Sequence, residues 1–426
     1  MGKTTNHLIQ AGVEAARLSD VDRVGDIVPL RDICALHRAA CRELGVGEET
    51  ERAVEALLRD LGRLLEGICT LQELGPRAQD RLVSYGERLS TTVFSGFLCA
   101  QGVPARQINA FEAGLVTTDA FGNADVLYGE ALPALRAALA FGEGEERRVT
   151  VFTGFLGRGE ETGAVTTLGR GGSDLTCTVL GAALGLSEVQ VWKDVDGVLS
   201  SDPRIVPGAT PIAELTYDEA SELAYFGAQV LHPLAMYPAT VSSQPLTVRV
   251  KNSYNRGAPG TVIRKSRDMS GVLVTSIVLK EDVTMLVVRS RRMLGSPGFL
   301  SEVFDVFRQH EVSVDVVATS EVSVSITLDP AKIWQRSMMT SELDALVKSL
   351  EGLGDVDLRR GVSILSLVAN CAQSSCILRR VFGVLDEMGV NPEMISQGAT
   401  ATNISLLVPA DRARDALSGL HAEFFE

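Results

Sequence analysis

An α/β architecture with a mostly parallel sheet, followed by a duplicated β-α-β-β unit, is the fold this sequence predicts. Three observations carry the prediction. From about residue 149 to residue 250, short apolar runs alternate with helical patterns, as in a parallel sheet with covering helices. The glycine-rich stretch Gly169–Asp174 stands where one such run meets a helical pattern. After residue 270 the order becomes strand, helix, strand, strand, and that order returns after Gly361. At 426 residues the chain is long for one core, so two or three domains are expected.

Thr4 to Leu74 reads as helix. Leu57, Leu58, Leu61, Leu64, Leu65 and Ile68 recur at three- and four-residue spacing, a buried face, and Gly45-Val46-Gly47 separates two helices. Gln79–Leu98 is a further helix. Within it Glu87 follows Gly86. Alone, Glu87 reads as a solvated residue, although a mid-helix glycine lets a backbone or ligand approach. Gly102–Phe111 and Val116–Phe121 read as short strands and loops, Leu132–Ala140 as a helix, and Val149–Phe155 as a buried strand with a glycine near its end.

Thr166–Leu168 is β-prone, and Leu175, Thr178, Val179, Ala182 and Ala183 mark the helix after it. Between them lies Gly169-Arg170-Gly171-Gly172-Ser173-Asp174. Its glycines allow close approach to a ligand, and the helix start offers N–H groups and a positive dipole end to an anion. Arg170 adds a fork that grips a carboxylate, and Ser173 and Asp174 stand where a cap would be. An ordinary capped glycine loop explains these six residues equally well. Val189–Val198 is a second strand-to-loop unit with Lys193 and Asp194 at the strand's C-terminal end, where ligands of such sheets bind. Asp202-Pro203-Arg204 reads as a turn, Thr216–Phe226 as a helix carrying Glu219 and Glu222, Pro245–Val250 as a strand and Arg264–Ser270 as a linker.

In the repeat, Val283–Val288 is a strand, Leu300, Val303, Phe304 and Phe307 a helix face, and Val312–Val317 and Ser323–Leu328 strands. A shift of 78 residues lays Val303-Phe304 on Val381-Phe382, Val312 on Val390 and Ile326 on Ile404. Each unit is too small to bury much surface alone, so the two are expected to pair.

A net charge of -14 with no basic cluster argues against nucleic acid as a partner. No apolar run approaches the roughly 18 residues of a membrane span, and no signal or transit pattern is seen. Seven dispersed cysteines, an odd number without metal-site spacing, read as buried reduced thiols, and no metal site is expected. Gly2-Lys3-Thr4 has no preceding glycine and spacer, so it is not read as a Walker motif.

With these pieces in place the chain resembles the monofunctional, lysine-sensitive aspartate kinases over nearly its whole length. Thr162–Asp174, Val191–Arg204, Phe226–Pro233 and Val312–Asp329 carry the likeness, and Phe226–Pro233 with Arg249–Thr261 is similar to the plant plastid branch. The resemblance implies an amino-acid kinase α/β/α sandwich followed by two ferredoxin-like ACT domains. The boundaries it implies are 1–265 for the kinase domain, 266–289 for a linker and joining strand, 290–361 for the first ACT domain and 362–426 for the second. It implies transfer of the ATP γ-phosphoryl to L-aspartate, giving 4-phospho-L-aspartate at the head of lysine, threonine and methionine synthesis. Mg²⁺ would be held mainly by the phosphates.

Carried across by the resemblance, Arg170 and Asp174 are catalytic, and Thr5, Glu87, Arg170, Gly171, Gly172 and Ser173 bind aspartate. Arg170 pairs with a substrate carboxylate, Glu87 with its ammonium. Lys193, Asp194, Leu199, Arg204, Gln229 and Val230 form the nucleotide side. Met293, Ser313, Asp315, Ser320 and Glu321 form an effector pocket for L-lysine, alone or with S-adenosylmethionine. A homodimer through the ACT domains and a chloroplast location, otherwise cytoplasmic, are also implied. Family members open with a strand ending Lys-Phe-Gly-Gly-Thr, and this sequence starts beyond it. A truncated reading frame, a short product or a chain retaining only regulation would each explain that, and the alternative function is an amino-acid-sensing regulatory subunit with impaired catalysis.

Overall fold

The computed structural model describes residues 4–141, 146–169, 171–226, 231–242, 244–290, 298–310, 312–320, 323–328, 340–398 and 400–426. The chain divides into two compact units, Met1–Val189 with Tyr237–Leu246, and Gln190–Met236 with Thr247–Glu426. No helix among the described residues is long and apolar enough to cross a membrane.

The first unit opens with four helices, α1 (Thr4–Arg17), α2 (Val28–Leu44), α3 (Glu48–Leu71) and α4 (Pro76–Ala100). Gly45 ends α2 in the left-handed region at φ 61°, and Pro76 starts α4, where its missing N–H has no helical partner to lose. The expected face of α3 is buried: Leu58, Leu61, Leu65 and Ile68 share a core with Leu8, Ile33, Leu82, Tyr85 and Leu89. Burying each such leucine contributes about 1.5–3 kcal/mol, so this helical scaffold rests on its apolar seam.

The unit continues through β1 (Ala105–Ile108), β2 (Val116–Thr117), α5 (Tyr128–Leu139), β3 (Val149–Phe152), β4 (Leu156–Gly159), β5 (Val165–Thr167) and α6 (Gly172–Leu184). β1 and β3 pair in parallel, as do β2 and β4, while β4 and β5 run antiparallel. The run at 149–155 stops at Phe152 and is half-buried, not buried, with Val149 48% exposed. Among the described residues its strand pairs with β1 alone, which leaves its far edge open.

β6 (Glu188–Lys193) leads into the second unit. There follow β7 (Glu214–Thr216), α7 (Tyr217–Tyr225), α8 (Tyr237–Val241, which returns to the first unit), β8 (Thr247–Asn252) and β9 (Thr261–Arg264). β6, β8, β9 and β7 form one sheet in that order, β8 and β9 antiparallel, β7 and β9 parallel. The segment read as a linker is anchored. Arg267 is nearly buried and grips Glu219 of α7 with Nε to Oε2 at 2.8 Å and Nη2 to Oε1 at 2.5 Å. Glu219 also completes a capping box with Thr216 and accepts from Thr275 Oγ1 at 2.6 Å.

The duplicated region contains β10 (Val274–Arg289), α9 (Phe299–Gln309), β11 (Val317–Thr319), β12 (Ser323–Leu328), α10 (Thr340–Glu351) and β13 (Asp355–Ala369). α11 (Ser374–Glu387), β14 (Met394–Gln397), β15 (Asn403–Pro409) and α12 (Ala410–Phe425) complete it. Its strands make one six-stranded antiparallel sheet, β11-β12-β10-β13-β15-β14, so the two repeats do pair. Val303 and Val381 are both buried, as are Ile326 and Ile404, in agreement with the 78-residue shift.

Three readings need correction. The buried face of α9 is Phe299, Val303 and Phe307, at i, i+4 and i+8. Leu300 and Phe304 lie off that stripe and are exposed, as is Phe382, the counterpart of Phe304. The strand expected at 312–317 begins only at Val317, because Asp315 and Val316 bond to Thr327 outside a continuous ladder. The seven cysteines are all unpaired, but Cys99 and Cys376 are exposed, in the last turn of α4 and the first turn of α11.

Candidate functional site

The glycine-rich stretch connects β5 to α6. Gly169 and Gly171 adopt φ of 79° and 80°, values that favour glycine. A Cβ on Gly172 would lie 2.8 Å from Leu168 Cβ and 3.0 Å from Phe155 Cδ2, and one on Gly154 would lie 2.8 Å from Ser173 Oγ. Crowding therefore requires glycine at both places. The N-cap is Gly171, left-handed and with no side-chain cap bond, so Ser173 and Asp174 stand in the first turn rather than at the cap. Ser173 is exposed and Asp174 buried. The N–H groups of Gly171 and Ser173 have no acceptor among the described residues, and they lie at the positive end of α6. Burial, then the charge of Asp174, pushes the Cys177 thiol up to about 11, so it is no nucleophile at neutral pH. Arg170 lies outside the described residues.

The approach to this loop is fixed by a residue that sequence reasoning missed. Asp80 of α4 is buried and accepts from Thr167 N at 2.8 Å, Thr167 Oγ1 at 2.9 Å and Gly122 N at 2.9 Å. Burial raises its pKa, although the three hydrogen bonds pull the other way. Glu87 follows Asp80 by seven residues, two helical turns, so both lie on one face of α4. Because Asp80 holds that face to the end of β5, Glu87 belongs to the same side of the helix. That spacing was the available signal.

Glu87 is half-buried and its carboxylate has no partner among the described residues. Burial raises its pKa above the ordinary 4.5. A Cβ on Gly86 would meet Leu8 Cδ1 at 3.5 Å and Thr5 Oγ1 at 3.9 Å, so α1 packs on α4 at this glycine and brings Thr5 beside Gly86, the neighbour of Glu87 in sequence. An unpaired, partly desolvated carboxylate suits a cationic ligand.

On the second unit, Lys193 closes β6 and its carbonyl accepts from Ser253 N at 2.8 Å and Ser253 Oγ at 2.9 Å. Asp194 is exposed and Leu199 half-buried. Arg204, 84% exposed, folds back on Asp202 with Nη2 2.6 Å from Oδ2. Gln229 and Val230 lie outside the described residues. Of the proposed effector residues, Met293 and Glu321 also lie outside them, Ser313 is exposed, and Ser320 Oγ meets Ser323 Oγ at 2.8 Å. The Asp315 carboxylate is buried and already holds a cation: Lys280 Nζ lies 2.5 Å from Oδ2, and Tyr225 donates its hydroxyl to Oδ1 at 2.9 Å. Among the described residues no three His, Cys, Asp or Glu side chains cluster as a metal site would require.

Residues 1–252 match the amino acid kinase family, and residues 366–424 match the ACT domain. Aspartokinase 1, chloroplastic, of Arabidopsis thaliana is 52% identical over 426 residues, covering 100% of this chain and 74% of that relative. The chain belongs to the aspartokinase family. Aspartokinase 2, chloroplastic, of the same plant is 54% identical, covering 100% of this chain and 77% of the relative. Lysine-sensitive aspartokinase 3 of Escherichia coli (strain K12) is 36% identical over 89% of this chain and 83% of its own length. Among solved structures, E. coli aspartokinase III in complex with aspartate and ADP matches 100% of this chain and 91% of that one with a TM-score of 0.84 at 33% identity. The same enzyme with lysine and aspartate matches at a TM-score of 0.75. The aspartokinase assignment accounts for the order of elements described above, a helix-led kinase region followed by a shared antiparallel sheet of two repeats.

Proposed function

We propose that this chain is an aspartate kinase, transferring the γ-phosphoryl of MgATP to the β-carboxylate of L-aspartate and regulated through its ACT repeats. The observation that carries the reading is the match along the whole chain to an aspartokinase whose solved structure contains aspartate and ADP. The geometry is compatible with it. The aspartate carboxylate has a pKa of roughly 4, so the nucleophile is ionised at neutral pH without a general base. Catalysis then consists of bringing two anions together in line and stabilising charge on the transferring group.

In this reading Glu87 receives the substrate ammonium and Arg170 a substrate carboxylate. The N–H groups of Gly171 and Ser173, at the positive end of α6, face developing negative charge. Thr5 completes the aspartate side, and Asp174, in the first turn of α6, is the second catalytic residue of the proposal. Lys193, Asp194, Leu199, Arg204, Gln229 and Val230 form the nucleotide side, and the magnesium enters on the phosphates as part of the substrate. L-lysine is the proposed effector, with Asp315 on its ammonium, and S-adenosylmethionine is the second candidate. A chloroplast location follows the plant relatives, and a homodimer through the ACT repeats is part of the proposal.

The test is a coupled assay of ADP release with aspartate, repeated on Glu87→Gln and Arg170→Ala. Aspartate-dependent turnover abolished by Arg170→Ala is the expected result. Lysine binding without any turnover by the wild-type chain would replace this reading with that of a regulatory subunit.

A further inference from the structure

The segment from Leu199 to Arg204, on the nucleotide side of the proposed function, is fixed by the second repeat. Ser200 commits every polar atom. Its N donates to Thr210 O at 2.8 Å, and its carbonyl accepts from Ile277 N at 2.8 Å and Ser276 Oγ at 2.9 Å. Its hydroxyl accepts from Thr210 N at 2.9 Å and lies 2.8 Å from Nε2 of His421, in α12. Ser200 and His421 are each 1% exposed. Five residues on, Ile205 and Val206 enter the apolar core of the second repeat with Ile277, Leu417 and Leu420. The segment is thus held at one end by the hydrogen bonds of Ser200, the one to His421 among them, and at the other by packing, and Arg204, folded back on Asp202, lies exposed between them.

Packing alone does not call for an imidazole here. Its Nδ1 is buried with no hydrogen-bond partner among the described residues, an arrangement that an apolar side chain of similar size would avoid. Its ring already has apolar company, stacked on Phe425 at 4.6 Å between centroids. What the imidazole adds is the bond to Ser200. The same helix, two turns earlier, presents Arg414, which pairs with Glu281 at 2.7 Å.

We infer that α12 sets the position of the Leu199–Arg204 segment through the His421–Ser200 hydrogen bond, so that His421 is a positioning residue for the nucleotide. The inference rests on the nucleotide reading of that segment. It gives the C-terminal repeat a direct mechanical hold on nucleotide affinity, separate from any amino-acid effector bound at Asp315.

The experiment measures ADP binding by calorimetry, the KM for ATP and for aspartate, kcat and Tm, for the full chain and for His421→Leu, His421→Gln and Ser200→Ala. His421→Leu is expected to weaken ADP binding and raise the ATP KM about three- to tenfold, the loss of one hydrogen bond's positioning, and Ser200→Ala, which also takes the acceptor from Thr210 N, at least as much. Aspartate KM and kcat should stay within about twofold, since nothing on the aspartate side is touched. The Gln variant, whose amide reaches Ser200, should recover most of the affinity, and the double variant His421→Leu/Ser200→Ala should be no weaker than Ser200→Ala alone. A lower Tm with ATP and aspartate KM unchanged, or raised together, would overturn the inference and leave His421 structural. If His421→Leu does not fold, Ser200→Ala, a smaller change, decides by the same split. A wild-type chain that binds aspartate but no ADP would remove the nucleotide reading and this inference with it.

Discussion

Asp80 offers a sharp test of how the aspartate-side loop is held. Replacing it by alanine removes three hydrogen bonds at once and leaves the N–H groups of Gly122 and Thr167 without their acceptor, Oδ2. Each buried donor so abandoned costs about 1–3 kcal/mol, and with the lost hydroxyl bond the sum is on the order of 3–5 kcal/mol. Asparagine is different. Its oxygen can keep both backbone donors, and its amide can meet Thr167 Oγ1, which turns to accept. It loses the charge but also escapes the burial that raises the pKa of Asp80, so the net change is within about 1 kcal/mol. The pH dependence has a defined sign. A carboxyl whose folded pKa lies above its unfolded value binds more protons when folded, so wild-type stability falls as pH rises from 3.8 through the folded pKa. The asparagine variant lacks that slope. Urea unfolding followed by far-UV circular dichroism, with aspartate saturation measured alongside, reads both quantities. Asp80→Ala should also raise the aspartate KM, because Thr167 ends the strand that feeds Gly169–Asp174. Equal damage from alanine and asparagine would refute the reasoning, since it would mean that the charge matters and the acceptor geometry does not.

Three further outcomes are expected. Glu87, raised by burial, should lose its hold on the substrate ammonium as pH falls through its folded pKa, so the aspartate KM climbs at acid pH; Glu87→Gln should show a high KM without that dependence. Glu219→Gln should cost about 3–5 kcal/mol in urea unfolding, because it strands the nearly buried Arg267. Burial pushes the Glu219 carboxyl up, but the bonds from Arg267, Thr275 and Thr216 outweigh it and leave the pKa below 4.5, so wild-type stability is full above that value and lost as pH falls through the folded one. Lys280→Met should take the cation from Asp315 Oδ2 and tighten calorimetric lysine binding, whereas Asp315→Asn should weaken it; unchanged affinity in both would show that lysine binds elsewhere.

What was legible in the sequence was what local pattern encodes. The leucine face of α3, the glycine-rich connection before α6 and the repeat relating Val303 to Val381 each depend on residues within one element or one fixed shift, and each appears in the structure. Positions inside those patterns were less secure. Gly171, left-handed at φ 80°, stands at the cap where Ser173 and Asp174 were expected, and no periodicity announces a backbone angle. On α9 four apolar residues fell at helical spacing, but only Val303 and Phe307 of them lie on the stripe that meets the sheet.

The residues that were missed share a physical cause. Asp80 acts on Thr167 across 87 residues, Lys280 on Asp315 across 35 and His421 on Ser200 across 221. A charged or polar residue at a helical or strand position reads as solvated unless its partner is known, because burial of such a group is tolerable only when a partner meets it. The partner is chosen by tertiary packing, which one sequence does not display. Asp80 alone left a trace, its seven-residue spacing from Glu87 on a face where a solvated helix has no need of two aligned carboxylates. Lys280 shows the converse. The acidic residue expected to hold an effector's ammonium already meets one from the fold, that of Lys280 on β10. Any amino-acid effector that uses Asp315 must therefore compete with Lys280, so its affinity measures the difference between two ammonium contacts and not the strength of one.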